Sequence, residues 1–125
     1  MHPPAAIQPT AVQIRAGTAL IEGDLALPRR ASGLVVFAHG SGSSRFSARN
    51  RAVAQTLQES GFATLLLDLL TREEEAIDVQ TGEYRFDIDR LGYRMVATVD
   101  WVGGESGLAN LPIGCFARAQ ARRRH

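Results

Sequence analysis

The apolar and polar positions of this chain change rhythm several times, and each change marks an element. Val12 and Ile14 alternate with polar neighbours, Ala16-Gly17 suits a tight turn, and Thr18 to Leu27 continues extended until Pro28 stops it. That pattern predicts an antiparallel hairpin. Gly23, inside the second strand, is expected to mark a bulge. After a polar link over 29–33, Leu34 to Ala38 is an unbroken apolar run of the kind buried on both faces of a parallel sheet. Ser47 is placed to cap a helix running through Ser60, with Val53 and Leu57 on one face. Gly61 supplies its left-handed stop, and Phe62 falls where the residue after such a glycine packs back onto Leu57. Ala63 to Leu67 follows at once as a second buried strand, which completes a βαβ unit with a right-handed crossover.

The second half is less regular. Thr71 to Gly82 carries Glu73-Glu74-Glu75 and Asp78 and reads as a solvated loop or a short helical excursion. From Asp87, the positions Ile88, Leu91, Met95, Val99 and Val102 repeat at helical spacing until Gly103-Gly104, a helix expected to cover one sheet face. Leu111 to Phe116 starts a further strand, and Ala117 to His125 has no apolar face. The alternation predicts an α/β chain, an N-terminal antiparallel hairpin leading into a parallel sheet with flanking helices. Residues 1–11 read as a flexible leader, 12–116 as the folded part and 117–125 as an arginine-rich tail.

Composition narrows the classes. With 125 residues, 45% hydrophobic and 22% charged, the chain suits one small folded domain. No apolar run approaches the ~20 residues of a membrane helix, and the start lacks a basic segment followed by a long apolar one, so neither a membrane partner nor a secretory signal is expected. A single cysteine, Cys115, excludes an internal disulfide and fits a reducing, cytoplasmic setting; it is expected to be an inert small apolar side chain within its strand. All 14 basic residues are arginine, and Arg118, Arg122, Arg123 and Arg124 crowd the end. Without those four the remaining ten face 13 acids, a net charge of −3, so the basic balance belongs to the tail. Four arginines with no aromatics between them give a weak, salt-sensitive contact with phosphates, and no specific nucleic acid is expected.

The candidate chemistry lies where the first apolar strand meets His39-Gly40-Ser41-Gly42-Ser43-Ser44. A glycine-rich turn between strand and helix points backbone N–H groups outward, which suits either the negative oxygen of a tetrahedral intermediate or a bound phosphate. Neither G-x-G-x-x-G nor G-x-x-x-x-G-K-[ST] is present, which argues against a nucleotide. Ser43, Arg45 and Asp68 are candidate substrate-binding residues: Arg45 as an exposed charge that could steer an anion, Asp68 as a carboxylate closing the second parallel strand. Glu73-Glu74-Glu75 reads as a solvated run and not as a metal site, and no cofactor or metal is expected.

These segments resemble the N-terminal half of an α/β-hydrolase, most similar to the dienelactone hydrolase branch. The resemblance is carried by Gly23 to Pro28, Val35 to Arg45, Arg49-Asn50-Arg51, Gly61 to Thr71, Arg85 to Ile88 and Leu111 to Gly114. It implies attack of a serine on an ester or lactone carbonyl, histidine relay and hydrolysis of the acyl-enzyme. It also implies that Ser41 supplies an oxyanion-hole N–H from a loop shaped by His39, Gly40 and Gly42. The chain departs from the family in one respect: no serine has glycine at both minus two and plus two, as the family's nucleophile turn requires. The expectation is a truncated or frameshifted member, inactive alone; Ala117 to Ala121 can be written with codons that, after one extra G and a shift of frame, read Gly-Ala-Ser-Thr-Gly. Its partner would be a small ester or lactone once the missing part is supplied. The alternative is an anion-binding or strand-pairing module that self-associates through an exposed edge at Ile113 to Phe116.

Overall fold

In the computed structural model, which describes residues 7–39 and 45–118, the chain opens with the hairpin of β1 (Thr10–Ala16) and β2 (Ala19–Ala26). Next come β3 (Leu34–His39), α1 (Ala48–Glu59), β4 (Ala63–Asp68), α2 (Arg72–Thr81), α3 (Ile88–Gly103) and β5 (Ile113–Arg118). The strands form one mixed sheet in the order β1-β2-β4-β3-β5, with β2 antiparallel to β4 and β3 parallel to both β4 and β5. This is the expected α/β arrangement, a hairpin joined to a parallel sheet with helices beside it.

Burial follows the pattern of the strands. Ile14 and Ile21 point from the hairpin into the core, while Leu34, Val36, Leu65 and Leu67 fill it from the two central strands, with Val102 and Leu108 packed on them. Gly23 corrects the expected bulge: it pairs with Val12 on one side and Leu67 on the other, with no extra residue in either register. The glycine is needed for room instead. A Cβ there would lie 3.0 Å from Leu65 Cδ1 and 3.1 Å from the Leu66 carbonyl oxygen, so β4 can approach only a bare backbone.

The ends of α1 are those its sequence predicts. Ser47 Oγ accepts from the Asn50 N–H at 3.4 Å, and Gly61, at φ 92°, turns the chain out of the helix. The Gly61 N–H then donates to Gln58 O and the Phe62 N–H to Leu57 O, both at 3.0 Å, the paired bonds of a Schellman stop. The buried face differs from expectation: Ala54 is the helix residue that is buried, and Val53 is exposed. The small side chain lets the helix lie close to β4, and Gln58 reaches across to Thr64 Oγ1 at 2.8 Å.

Residues 72–81, read as a loop or a short helical excursion, form the helix α2, started by a capping box. Thr71 Oγ1 accepts from the Glu74 N–H at 3.2 Å, and Glu74 Oε1 accepts from the Thr71 N–H at 2.9 Å. Helix α3 begins at the Asp87 cap as expected but is rotated about its axis. Leu91, Met95 and Val102 do face the core, yet Ile88 and Val99 point outward, and Arg94 and Thr98 are buried in their place. Strand β5 lies at one edge with Ile113, Cys115 and Phe116 exposed. Phe116 nonetheless stacks on Phe37, with ring centroids 5.7 Å apart. The strand continues to Arg118, two residues past the expected end of the folded part. Among the described residues no helix is long and apolar enough to cross a membrane.

Candidate active site

His39 and Asp68 end β3 and β4 side by side, in register, at the carboxyl edge where sites of parallel sheets gather. The His39 ring is buried, at 3% exposure, and both its nitrogens are used. Nδ1 lies 3.2 Å from the Leu67 carbonyl oxygen, which can only accept, so Nδ1 carries the proton. Nε2 lies 2.7 Å from Asn50 Nδ2, which donates, so Nε2 is bare. The ring is therefore a neutral Nδ1–H imidazole spanning β3, β4 and α1. Burial pushes its pKa below the ordinary value, more strongly than the Leu67 carbonyl and the Asp68 charge push it up. Its ring lone pair is thus engaged by Asn50, and the ring ties the end of β3 to β4 and α1.

Asp68 and Arg45 are also brought together, though not as a substrate site open to solvent. Arg45 donates its backbone N–H to Asp68 Oδ1 at 2.9 Å and its guanidinium to Oδ2. The same guanidinium lies 3.6 Å from Asp24 and 3.9 Å from Glu22, and its Nε is buried without a hydrogen-bond partner among the described residues. Arg45 is thus buried and not the exposed charge the sequence suggested, because three of the protein's own carboxylates have drawn it inward. The ring of Phe46 covers it at 4.2 Å. Gly40, Ser41, Gly42 and Ser43 lie outside the described residues. What is described are the flanks of that stretch: His39 tied to β4 and α1 before it, and Arg45 tied to β4 after it.

Beyond Asp68 the chain is held by a second group of charges that sequence reasoning missed. Arg94, from α3, donates to the Leu69 carbonyl at 2.8 Å and grips both oxygens of Glu74, which also accepts from Arg90 at 2.9 Å. The Arg94 guanidinium holds the Glu74 carboxyl down to about 2, against the opposing effect of burial. Glu74 is therefore not part of a solvated run. The spacing Thr71-x-x-Glu74 before Ile77 was the available signal. Asp78, fully buried, accepts from the Tyr84 and Arg85 backbones and from Arg85 Nε, which ties the end of α2 to the loop after it. Among the described residues no group of three or more His, Cys, Asp or Glu side chains could hold a metal ion. Two open hollows, of about 400 and 300 Å³, lie elsewhere and include neither His39 nor Asp68 in their walls.

No family model matches the chain. A dienelactone hydrolase from Anabaena variabilis superposes with a TM-score of 0.84 at 48% identity, over 90% of this chain and 52% of that one. The fold is that of the dienelactone hydrolase-like α/β-hydrolases. A dienelactone hydrolase-like promiscuous phosphotriesterase from metagenomic libraries shares this hydrolase fold at 16% identity, with a TM-score of 0.67 over 90% of this chain and 49% of its own. Two Mycobacterium tuberculosis proteins named "Putative phosphoribosyl transferase" are 48% identical over 105 residues, 84% of this chain and 23% of theirs. The chain thus spans about half of its hydrolase-fold neighbours and under a quarter of its mycobacterial relatives.

Proposed function

We propose that this chain carries the oxyanion-loop part of a serine hydrolase acting on small esters or lactones. The observation that carries the reading is the anchoring of His39 at the carboxyl edge of the sheet, directly before Gly40-Ser41-Gly42. In this reading the Ser41 N–H is one donor to the oxyanion, and loss of such a donor costs about a hundredfold or more in rate. In the same reading His39, Gly40 and Gly42 belong to the oxyanion loop and Ser43 is a candidate substrate contact. The high identity to a dienelactone hydrolase supports the substrate class. No cofactor is needed for this chemistry, and the lone cysteine is compatible with a cytoplasmic setting.

In this reading the attacking hydroxyl is not among these 125 residues, because no serine here sits between glycines at minus two and plus two. The 125-residue chain is therefore expected to leave p-nitrophenyl acetate at its background rate. Turnover abolished by a serine-reactive phosphonate would overturn this. The nucleotide sequence beyond the codon for Phe116 separates a frameshift from other origins: an in-frame continuation after a one-base correction supports the frameshift. The name of the mycobacterial relatives describes proteins of which the match is under a quarter. The Arg45 charge beside the loop is already engaged by Asp68, Asp24 and Glu22, which favours a neutral ester over a phosphorylated substrate. A strand-pairing module is the second reading, favoured by the exposed Ile113 and Phe116 on β5. Concentration-dependent dimerisation in sedimentation, lost in Phe116→Lys, would support it.

A further inference from the structure

The oxyanion-loop reading leaves unexplained why a buried histidine should precede the loop at all. Three polar groups converge on it: the Leu67 carbonyl on Nδ1 at 3.2 Å, the Asn50 amide on Nε2 at 2.7 Å, and the Leu69 N–H on its carbonyl oxygen at 2.8 Å. We propose that Asn50 is a positioning residue for the loop that starts at Gly40: by donating to the bare Nε2 of the ring whose Nδ1–H the Leu67 carbonyl already holds, it couples the first turn of α1 to the end of β3.

This inference rests on the reading above and assigns a role to a residue outside the loop itself. Asn50 is well placed for it. Its own N–H is capped by Ser47 Oγ at 3.4 Å, so the turn that carries the amide is fixed at the helix start. The ring cannot rotate without leaving a buried donor or acceptor unpaired. Protonation would place a hydrogen on Nε2 facing the Asn50 N–H, so the amide would have to turn its oxygen inward or withdraw. The charged groups near the ring are Asp68 on β4 and Arg45, which neutralises it. Burial opposes a charged ring, so the neutral arrangement is the one the surroundings select.

The test is nitrogen-detected NMR of the histidine ring in the 125-residue chain as a function of pH, together with the amide signals of Gly40 to Ser44. It is run on the native chain, Asn50→Asp and Asn50→Leu. In the native chain His39 is expected to show a protonated Nδ1 and a bare Nε2, and to remain neutral below the ordinary value of about 6.5. Asn50→Asp turns the donor into a charged acceptor, so the ring should titrate above that value, with the amides of 40–44 following the same midpoint. Asn50→Leu should keep the Nδ1–H on the Leu67 carbonyl and displace the loop amides. A protonated Nε2 in the native chain overturns the proposal, a result that needs no variant to fold. Loop amides that ignore the ring's midpoint in Asn50→Asp overturn it too. A phenylphosphonate titration separates the layers: if the ring and loop behave as expected but the Ser41 amide does not move, the coupling stands and the oxyanion reading falls.

Discussion

Arg45 holds Asp68 with two different groups, its backbone N–H on Oδ1 at 2.9 Å and its guanidinium on Oδ2. One bond fixes the path of the main chain and the other places a charge, so a single carboxylate controls both. Asp68→Ala leaves Arg45 buried with only the more distant Asp24 and Glu22, and is expected to cost about 3 kcal/mol in urea unfolding. Asp68→Asn keeps an acceptor for the backbone N–H and should lose less. Equal stability of Asp68→Ala and the native chain would show that the pair is incidental.

Acid should unfold the protein through Glu74. Its carboxyl titrates at about 2, chiefly through the hydrogen bond from Arg94, while its ordinary value is 4.5. Between those values the unfolded chain binds the proton and the native one does not, so stability present above pH 4.5 is lost as the pH falls toward 2. Glu74→Gln should flatten that limb of the stability curve. An unchanged limb would assign acid sensitivity to other carboxylates.

A second window belongs to His39. Its native pKa lies below the ordinary 6.5 because the ring is buried, so the unfolded chain takes up the proton first. Stability contributed by the neutral ring is complete above that value and falls as acid is added below it. His39→Gln should remove this slope while leaving the lower Glu74 window in place. Chemical denaturation at closely spaced pH values reads both.

What the sequence made legible and what it hid divide along a physical line. The runs Leu34 to Ala38 and Ala63 to Leu67 announced buried parallel strands because a strand covered on both faces has no polar alternation. Ser47, Gly61 and Phe62 announced the limits of α1 because caps are local. Arg94 was invisible because helical periodicity treats an arginine as solvent-facing, and only the fold brings Glu74 and the Leu69 carbonyl within its reach. Burying it turned α3 so that Ile88 and Val99 point outward. Arg45 was legible as a loop residue but not as the centre of three carboxylates contributed by β2 and β4. Asn50 lay inside a recognised segment, yet its partner stands 11 positions earlier, across a loop, and no local rule links them.

Gly23→Val tests the close approach of β4. The added atoms meet the Leu66 carbonyl and the Leu65 side chain, and the backbone cannot yield as a side chain can. A loss of about 1–3 kcal/mol is expected from such overpacking. Gly23→Ala should show a smaller loss of the same sign, and a neutral valine would mean that the two strands can separate without cost.

Cys115 is exposed on β5, so a thiol reagent should modify one sulfur per chain under native conditions. The rate should match that of the urea-unfolded chain within a few-fold. Protection that disappears only on unfolding would place the side chain in an interface.

Strand β3 is matched on both flanks at once, with His39 opposite Asp68 on one side and Arg118 on the other. A one-residue insertion within it would turn every following side chain to the reverse of the pleat. The imidazole would then look away from both the Leu67 oxygen and Asn50, and the loop would leave the sheet from the wrong side. The length of this six-residue strand is therefore as strict a requirement for the site as any side chain in it.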